Sequence, residues 1–288
     1  MKRFITFGNA KTTRSALNIL IRYLRYYINA KTAYQIHSPF LYQFINECII
    51  DNKFYYIFNH IDGIHQALLQ HQTEIKLIDY GAGSRKSDKK TIASIAKNAT
   101  SPAWKGIQLS HIARFIKPKV TLELGSNLGI GTAYLASPVK TNTVYTIEGD
   151  PSLHKYANQH WKKLGLENIQ SYCGEFTATL PVVLGEMGTP IDLVYLDGNH
   201  RKDATIEYVK QILPYLSSNG AIIVDDIQWS SGMIAAWEEL IGMSKFCYSI
   251  NLGQYGVLFW DDTQSYPNQH ITYISYKYKP WKIGLFAH

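Results

Sequence analysis

Five short apolar runs constrain this chain more than any other feature. They are Val120–Leu124, Thr143–Ile147, Ile169–Cys173, Ile191–Leu196 and Ala221–Val224, and each is followed directly by a glycine or an acidic residue. Between them lie stretches long enough for helices, such as the one Pro151 opens toward Lys163. Continuous apolar runs of this length read as strands buried on both faces. Their alternation with helices predicts a parallel sheet covered on both sides. After a helix around Met233 to Ile241, Phe246–Ile250 and Val257–Trp260 flank Asn251–Gly256, which predicts a hairpin and one reversed strand.

Composition agrees with a packed protein. Hydrophobic residues make up 46% and charged residues 18% of 288, enough apolar material for a large core. No apolar run approaches the ~20 residues a membrane span needs. Cys48, Cys173 and Cys247 stand far apart, in no disulfide or metal-ligand spacing. The expectation is a reduced, soluble, cytoplasmic protein.

The net charge of +7 is local. Residues 1–46 hold Lys2, Arg3, Lys11, Arg14, Arg22, Arg25 and Lys31 and no acid, while the other 22 basic residues balance 22 acidic ones. A chain-wide groove for nucleic acid is therefore not supported. Within this arm Leu17, Leu20, Ile21, Leu24, Tyr27 and Ile28 recur at helical spacing, with Asn18, Arg22 and Arg25 on other faces. The expectation is a helix packed on the body with its arginines in water. Peripheral contact with membrane phosphates is the alternative. Ser38-Pro39 predicts a second helix start leading through Phe40 to Ile50. The aromatic residues crowded here (Tyr23, Tyr26, Tyr27, Tyr34, Phe40, Tyr42 and Phe44) suit a helical layer docked on a larger body, and also offer a surface for a homodimer. The organisation expected is an N-terminal helical appendage with its connecting loop over 1–103, an α/β domain over 104–262 and a tail over 263–288.

Sheets of this class bind ligands at the carboxyl ends of their strands. After the run at 120 comes Glu123-Leu-Gly125-Ser126-Asn127-Leu-Gly129-Ile-Gly131-Thr132, a glycine turn opening a helix. It is not a Walker loop, because no Gly-Lys-Ser/Thr follows. Glu148 lies 23 residues beyond Gly125, about where a carboxylate accepts hydrogen bonds from ribose hydroxyls. Together the two features point to an adenosine-containing cofactor and do not by themselves separate it from a dinucleotide.

The phrases Leu122–Thr132, Tyr145–Glu148, Asp192–Asp197 and Gly220–Asp226 resemble, in order and spacing, the class I S-adenosylmethionine-dependent methyltransferases, especially the catechol- and caffeoyl-CoA-type O-methyltransferases. Lys105-Gly106 with Leu109 also looks like that family's helix before the first strand. The resemblance implies a seven-stranded, mostly parallel, Rossmann-like α/β sheet. It implies that Glu123, Gly125, Ser126, Asn127, Gly129 and Thr132 face the methionine part of S-adenosylmethionine. Glu148 and Gly149 would then hold the ribose, and Gly174, Glu175 and Phe176 border the adenine, with Asp197 beside the cofactor.

Asp197, Asp225 and Asp226 end neighbouring strands, and three converging carboxylates repel unless a positive charge sits among them. Hard oxygen donors of this kind suit Mg²⁺. In the resemblance these three aspartates fall on the metal-ligand positions of the catechol-type enzymes. His200 falls where those enzymes carry a catalytic lysine and the antibiotic-sugar O-methyltransferases a histidine. The second acidic pair is Asp-Asp, where catechol-type enzymes have Asp-Asn. The implied reaction is methyl transfer to a hydroxyl of a small-molecule acceptor, with divalent metal and with His200 and Asp197 as catalytic groups.

Simpler readings stand beside these. Asp197 and Asp225 are strand-end acids found in many such domains without metal, and Trp229 is expected in the core, with stacking on an acceptor as the alternative. Asp79-Tyr-Gly81-Ala-Gly83-Ser84 imitates the glycine turn, but no second βαβ unit fits before residue 120. It reads as a polar connection or a loop over the acceptor. Rival functions are a metal-independent N- or O-methyltransferase and a cofactor-binding interaction protein that works through its basic arm.

Overall fold

A computed structural model of the chain describes residues 13–78, 89–263 and 268–280, with side chains from residue 21 onward. The cations at 2, 3, 11 and 14, most of the 79–90 loop with its glycine phrase, and residues 281–288 lie outside these or outside the described side chains.

The five apolar runs are strands: β3 (Val120–Leu124), β4 (Thr143–Glu148), β5 (Ile169–Cys173), β6 (Ile191–Leu196) and β7 (Leu216–Val224), the short hairpin β1 (Glu74–Lys76) and β2 (Lys89–Thr91) preceding them. All five residues of β3 are buried, as a strand covered on both faces requires. The predicted hairpin is β8 (Tyr248–Asn251) and β9 (Gly256–Asp261), with β9 antiparallel to both β7 and β8. An eighth strand, β10 (Gln269–Thr272), adds parallel to β8 from within the segment expected as a tail. The sheet order is β10-β8-β9-β7-β6-β3-β4-β5.

One face is covered by α8 (Phe176–Glu186), α9 (Lys202–Ile212) and α10 (Ser231–Ile241), packed around Leu122, Val194, Ile222 and Trp260. On the other face lie α5 (Ala103–Ile116), α6 (Ile130–Ala136) and α7 (Pro151–Lys163). The N-terminal helices α2 (Pro39–Phe44), α3 (Tyr56–Leu69) and α4 (Ile92–Ala99) join them. Helix starts follow local chemistry. Ser38 caps α2 and Asp150 caps α7, its carboxylate accepting from the Ser152 and Leu153 N–H groups, with proline first in each helix. α2 continues through a π turn to Ile50, as the Phe40–Ile50 pattern predicts. The aromatic layer packs directly on the sheet: the Phe44 ring centroid lies 4.9 Å from Phe259, and Phe40 lies 5.3 Å from Tyr248.

The first helix, α1 (Thr13–Asn29), meets the expectation only in part over its described side chains. Tyr26 and Tyr27 turn toward the body, whereas Ile21, Leu24 and Ile28 are 40%, 46% and 71% exposed.

Candidate active site

The turn after β3 is shaped by close packing on its neighbour. Gly125 has φ +101°, and a Cβ there would lie 2.2 Å from the Asp197 carbonyl oxygen, so only glycine lets the end of β3 pass the end of β6. Asn127, also left-handed at φ 50°, donates its N–H to Glu148 Oε2 at 2.7 Å. The other Glu148 oxygen accepts the Asp150 N–H at 2.9 Å. Burial raises the Glu148 carboxyl's pKa, opposed by the backbone N–H groups of Asp150, Asn127 and Gly149. The structure thus joins the glycine turn to the end of β4 through the carboxylate that sequence spacing singled out.

Glu123 is fully buried inside β3. Its Oε2 accepts the hydroxyls of Thr132 and Thr146, both at 2.6 Å, while its Oε1 has no partner among the described residues. The Ser126 hydroxyl is likewise buried and unpartnered. Both residues line a cleft with Gly125, Asn127, Gly131, Tyr195 and Asp197. Orphaned buried polar atoms in a cleft walled by glycines suit a ligand that carries polar groups of its own, as the methionine end of S-adenosylmethionine does.

Burial pushes the Glu123 carboxyl up to about 7, against the two threonine hydroxyls. Between pH 4.5 and about 7 the folded protein holds a proton that the unfolded chain has lost, so stability falls as pH rises through that window. The expected loss is about 3 kcal/mol. Thermal unfolding of the free protein at about pH 5 and about pH 8 should show it, and Glu123→Gln should flatten it. An equal slope in the variant would remove Glu123 as the cause.

Beyond β5, Gly174 donates its N–H to the Glu148 carbonyl at 2.9 Å, and the Phe176 ring packs over Gly198, where a Cβ would fall 2.5 Å from the ring. Gly174, Glu175 and Phe176 therefore stand between the ends of β4, β5 and β6.

The three aspartates do not surround an open space. The Lys105 ammonium, from the first turn of α5, pairs with Asp225 Oδ2 in the interior, where the two side chains are 7% and 3% exposed. Asp225 Oδ1 accepts the Asp226 N–H at 2.9 Å. The Tyr195 hydroxyl lies 2.9 Å from Asp197 Oδ2 and 3.2 Å from Asp225 Oδ2, linking the two carboxyls. Burial works to raise Asp225, but the ammonium, with the hydrogen bonds around it, holds its carboxyl below the ordinary range. Burial and the neighbouring Asp225 charge push Asp197 well up. Burial and the same Asp225 charge raise Asp226.

This donor set does not fit a divalent cation. Both Asp225 oxygens are engaged, and the positive charge that the converging acids require is already supplied by lysine. Among the described residues no three His, Cys, Asp or Glu side chains gather to hold a metal ion. Where the resemblance implied a cation among Asp197, Asp225 and Asp226, the described residues place the Lys105 ammonium against Asp225.

His200 follows β6 in a strained turn, with Asn199 at φ 64° and His200 at φ 21°, and Asp226 is left-handed at φ 53°. The imidazole Nε2 sits 3.9 Å from Asp197 Oδ1 and 3.8 Å from Asp226 Oδ2, with the ring one-third exposed. Asn199 turns away and donates to the Tyr208 hydroxyl at 2.9 Å. Trp229, expected in the core, is 73% exposed three residues after Asp226.

Sequence reasoning missed Lys105 as a partner of Asp225 and Tyr195 as the bridge between carboxyls. The one available signal was a lysine between Trp104 and Gly106 in a nearly apolar helix.

Comparisons with known proteins agree with this geometry. Residues 122–227 match a family model described as a methyltransferase domain, a span holding the glycine turn, Glu148 and all three aspartates. No curated protein matches the chain. Among solved structures, the S-adenosylmethionine complex of the O-methyltransferase TomG from Streptomyces achromogenes is 22% identical with TM-score 0.50, over 56% of this chain and 81% of that one. The S-adenosylhomocysteine-bound methyltransferase PaMTH1 from Podospora anserina is 17% identical with TM-score 0.54, over 89% and 100%. An O-methyltransferase from Bacillus cereus in complex with S-adenosylhomocysteine is 15% identical with TM-score 0.54, over 76% and 96%. At these identities the likeness is one of fold: a mostly parallel sheet flanked by helices, preceded by a helical N-terminal part.

Proposed function

We propose, from the match of residues 122–227 to a methyltransferase domain, that the protein is a class I enzyme that methylates a hydroxyl of a small molecule with S-adenosylmethionine and without a metal ion. When bound, S-adenosylmethionine supplies an electrophilic methyl group on a sulfonium sulfur. The observation that carries the reading is His200 seated between Asp226 and Asp197, the latter a residue that lines the cleft.

Each residue then has a task. Glu148, held by the Asn127 and Asp150 amides, presents its remaining lone pairs to the ribose hydroxyls, with Gly149 beside it. Glu123 Oε1 and the Ser126 hydroxyl face the methionine end, in a turn completed by Gly125, Asn127, Gly129 and Thr132. Gly174, Glu175 and Phe176 border the adenine. His200 takes the acceptor proton as the oxygen attacks the methyl carbon and the carbon–sulfur bond breaks, leaving the methyl ether, neutral sulfide and an imidazolium. Asp197 and Asp226 flank that imidazolium and offset its charge. Lys105 neutralises Asp225 beneath them, the task the resemblance gave to a metal. Trp104, beside Lys105, and Trp229, beyond Asp226, are exposed indoles suited to wall a flat acceptor.

Calorimetric titration with S-adenosylhomocysteine tests the cofactor half. We expect binding to the wild type and at least a ~30-fold loss in Glu148→Ala, since a carboxylate that accepts two ribose hydroxyls is worth about 2 kcal/mol or more. Equal binding in both proteins would displace the cofactor from this cleft.

A further inference from the structure

The described part of α1 is attached to the body through Tyr26 and Tyr27, and Ile21, Leu24 and Ile28 stay outside that contact. The Tyr26 hydroxyl donates to the Tyr273 carbonyl and its ring covers Gly253. The Lys279 ammonium donates to the carbonyls of Tyr27, Ile28 and Ala30 at 2.6, 3.1 and 2.7 Å, closing the C-terminal end of the helix. Ile21, Leu24 and Ile28 share one face at helical spacing, and that face is turned to solvent. A helix held in register by a lysine cap and a half-buried tyrosine, with its aliphatic row outward, presents that row to something outside the body.

The charge around the row selects the occupant. Residues 1–46 carry seven cations and no acid, and Arg25 is exposed on α1 itself. A second copy docked by the same face would bring two Arg25 side chains together, and the sequence of this segment holds no acid to pair them. An anionic lipid surface matches both features, since aliphatic side chains enter the acyl boundary while cations meet headgroup phosphates.

The location is also informative. Thr272 is level with Asn251, Asn251 with Gly256, and Gly256 with Val224, the residue before Asp225. Tyr273, which receives Tyr26, therefore lies at the same carboxyl edge of the sheet as the active-site acids. It stands three strands away, about 15 Å along that edge.

We propose that α1 is an interfacial anchor that lays the protein on anionic lipid bilayers with the carboxyl edge of its sheet toward the membrane. The test is flotation of the full chain with phosphatidylcholine vesicles, with and without roughly one-third phosphatidylglycerol. It is repeated on Ile21→Glu/Leu24→Glu/Ile28→Glu, whose exposed sites leave the core intact. We expect binding to the phosphatidylglycerol vesicles at least about tenfold above phosphatidylcholine, weakened by salt and lost in the triple variant. The same S-adenosylhomocysteine heat in both proteins would show that the variant is folded. Three results would overturn the proposal. They are no binding to either vesicle, equal binding by the triple variant, and a dimer in lipid-free solution that the triple variant dissolves, which would assign the row to a second copy.

Discussion

Replacing Lys105 by methionine is expected to destabilise the protein by about 3–5 kcal/mol, because the change keeps the aliphatic stem but leaves Asp225 charged and unpaired in the interior. The pair lies under the sheet edge with both side chains nearly sealed from water, so solvent cannot take over the role of the ammonium. Chemical denaturation measures the loss. Should the single variant fail to fold, Lys105→Met/Asp225→Asn keeps the question open to experiment, since removing both charges should recover most of the stability. The double variant should nevertheless stay poorly active, with S-adenosylhomocysteine affinity within about threefold of wild type. In the wild type, turnover should be unchanged by a chelator. Activity lost in EDTA and restored by Mg²⁺ would return the aspartates to a metal and sink the role given to Lys105.

His200→Ala is expected to lower kcat by about 10²–10⁴-fold, the usual contribution of a positioned base. Cofactor affinity should move little, because the imidazole contacts the two aspartates and no part of the glycine turn. A structural role for the ring would instead lower thermal stability together with turnover. Turnover within about threefold of wild type would assign the proton to another group.

These two residues differ in how far they could be read from the chain. His200 was visible because it stands three residues after an acid that ends an apolar run, and ligands gather at such strand ends. Lys105 was quoted only as part of a helix resembling a family pattern. Its partner is 120 residues away, and nothing local says that an ammonium in the first turn of a helix will be buried against it. The metal reading met the same limit. The argument that converging carboxylates need a positive charge was sound, but the sequence could not say which charge would arrive.

Strands β3, β4 and β6 were legible nearly to the residue, since a strand largely buried on both faces is mostly apolar and its neighbours are glycines and acids; β5 matches its reading although it is an edge strand with Gln170 and Cys173 exposed. β7 was legible only in its buried half, Gly220–Val224, and its exposed start at Leu216 was not. β10 went unread because Gln269–Thr272 is an edge strand of four residues with one buried side chain. Trp229 was misplaced because hydrophobicity alone does not separate a core indole from an exposed one after a strand-end turn.

The sequence by itself determined the α/β class, the order of its strands, the glycine turn, Glu148 and the three strand-end aspartates. Periodicity and turn chemistry act over a few residues, and those features need nothing more distant. Only the tertiary structure decided that Lys105 neutralises Asp225, that Tyr195 joins two carboxyls, and that α1 turns its apolar row away from the body. The first joins segments 120 residues apart, the second joins strand ends 30 residues apart, and the third depends on which face of a helix the body covers; none is written in local spacing.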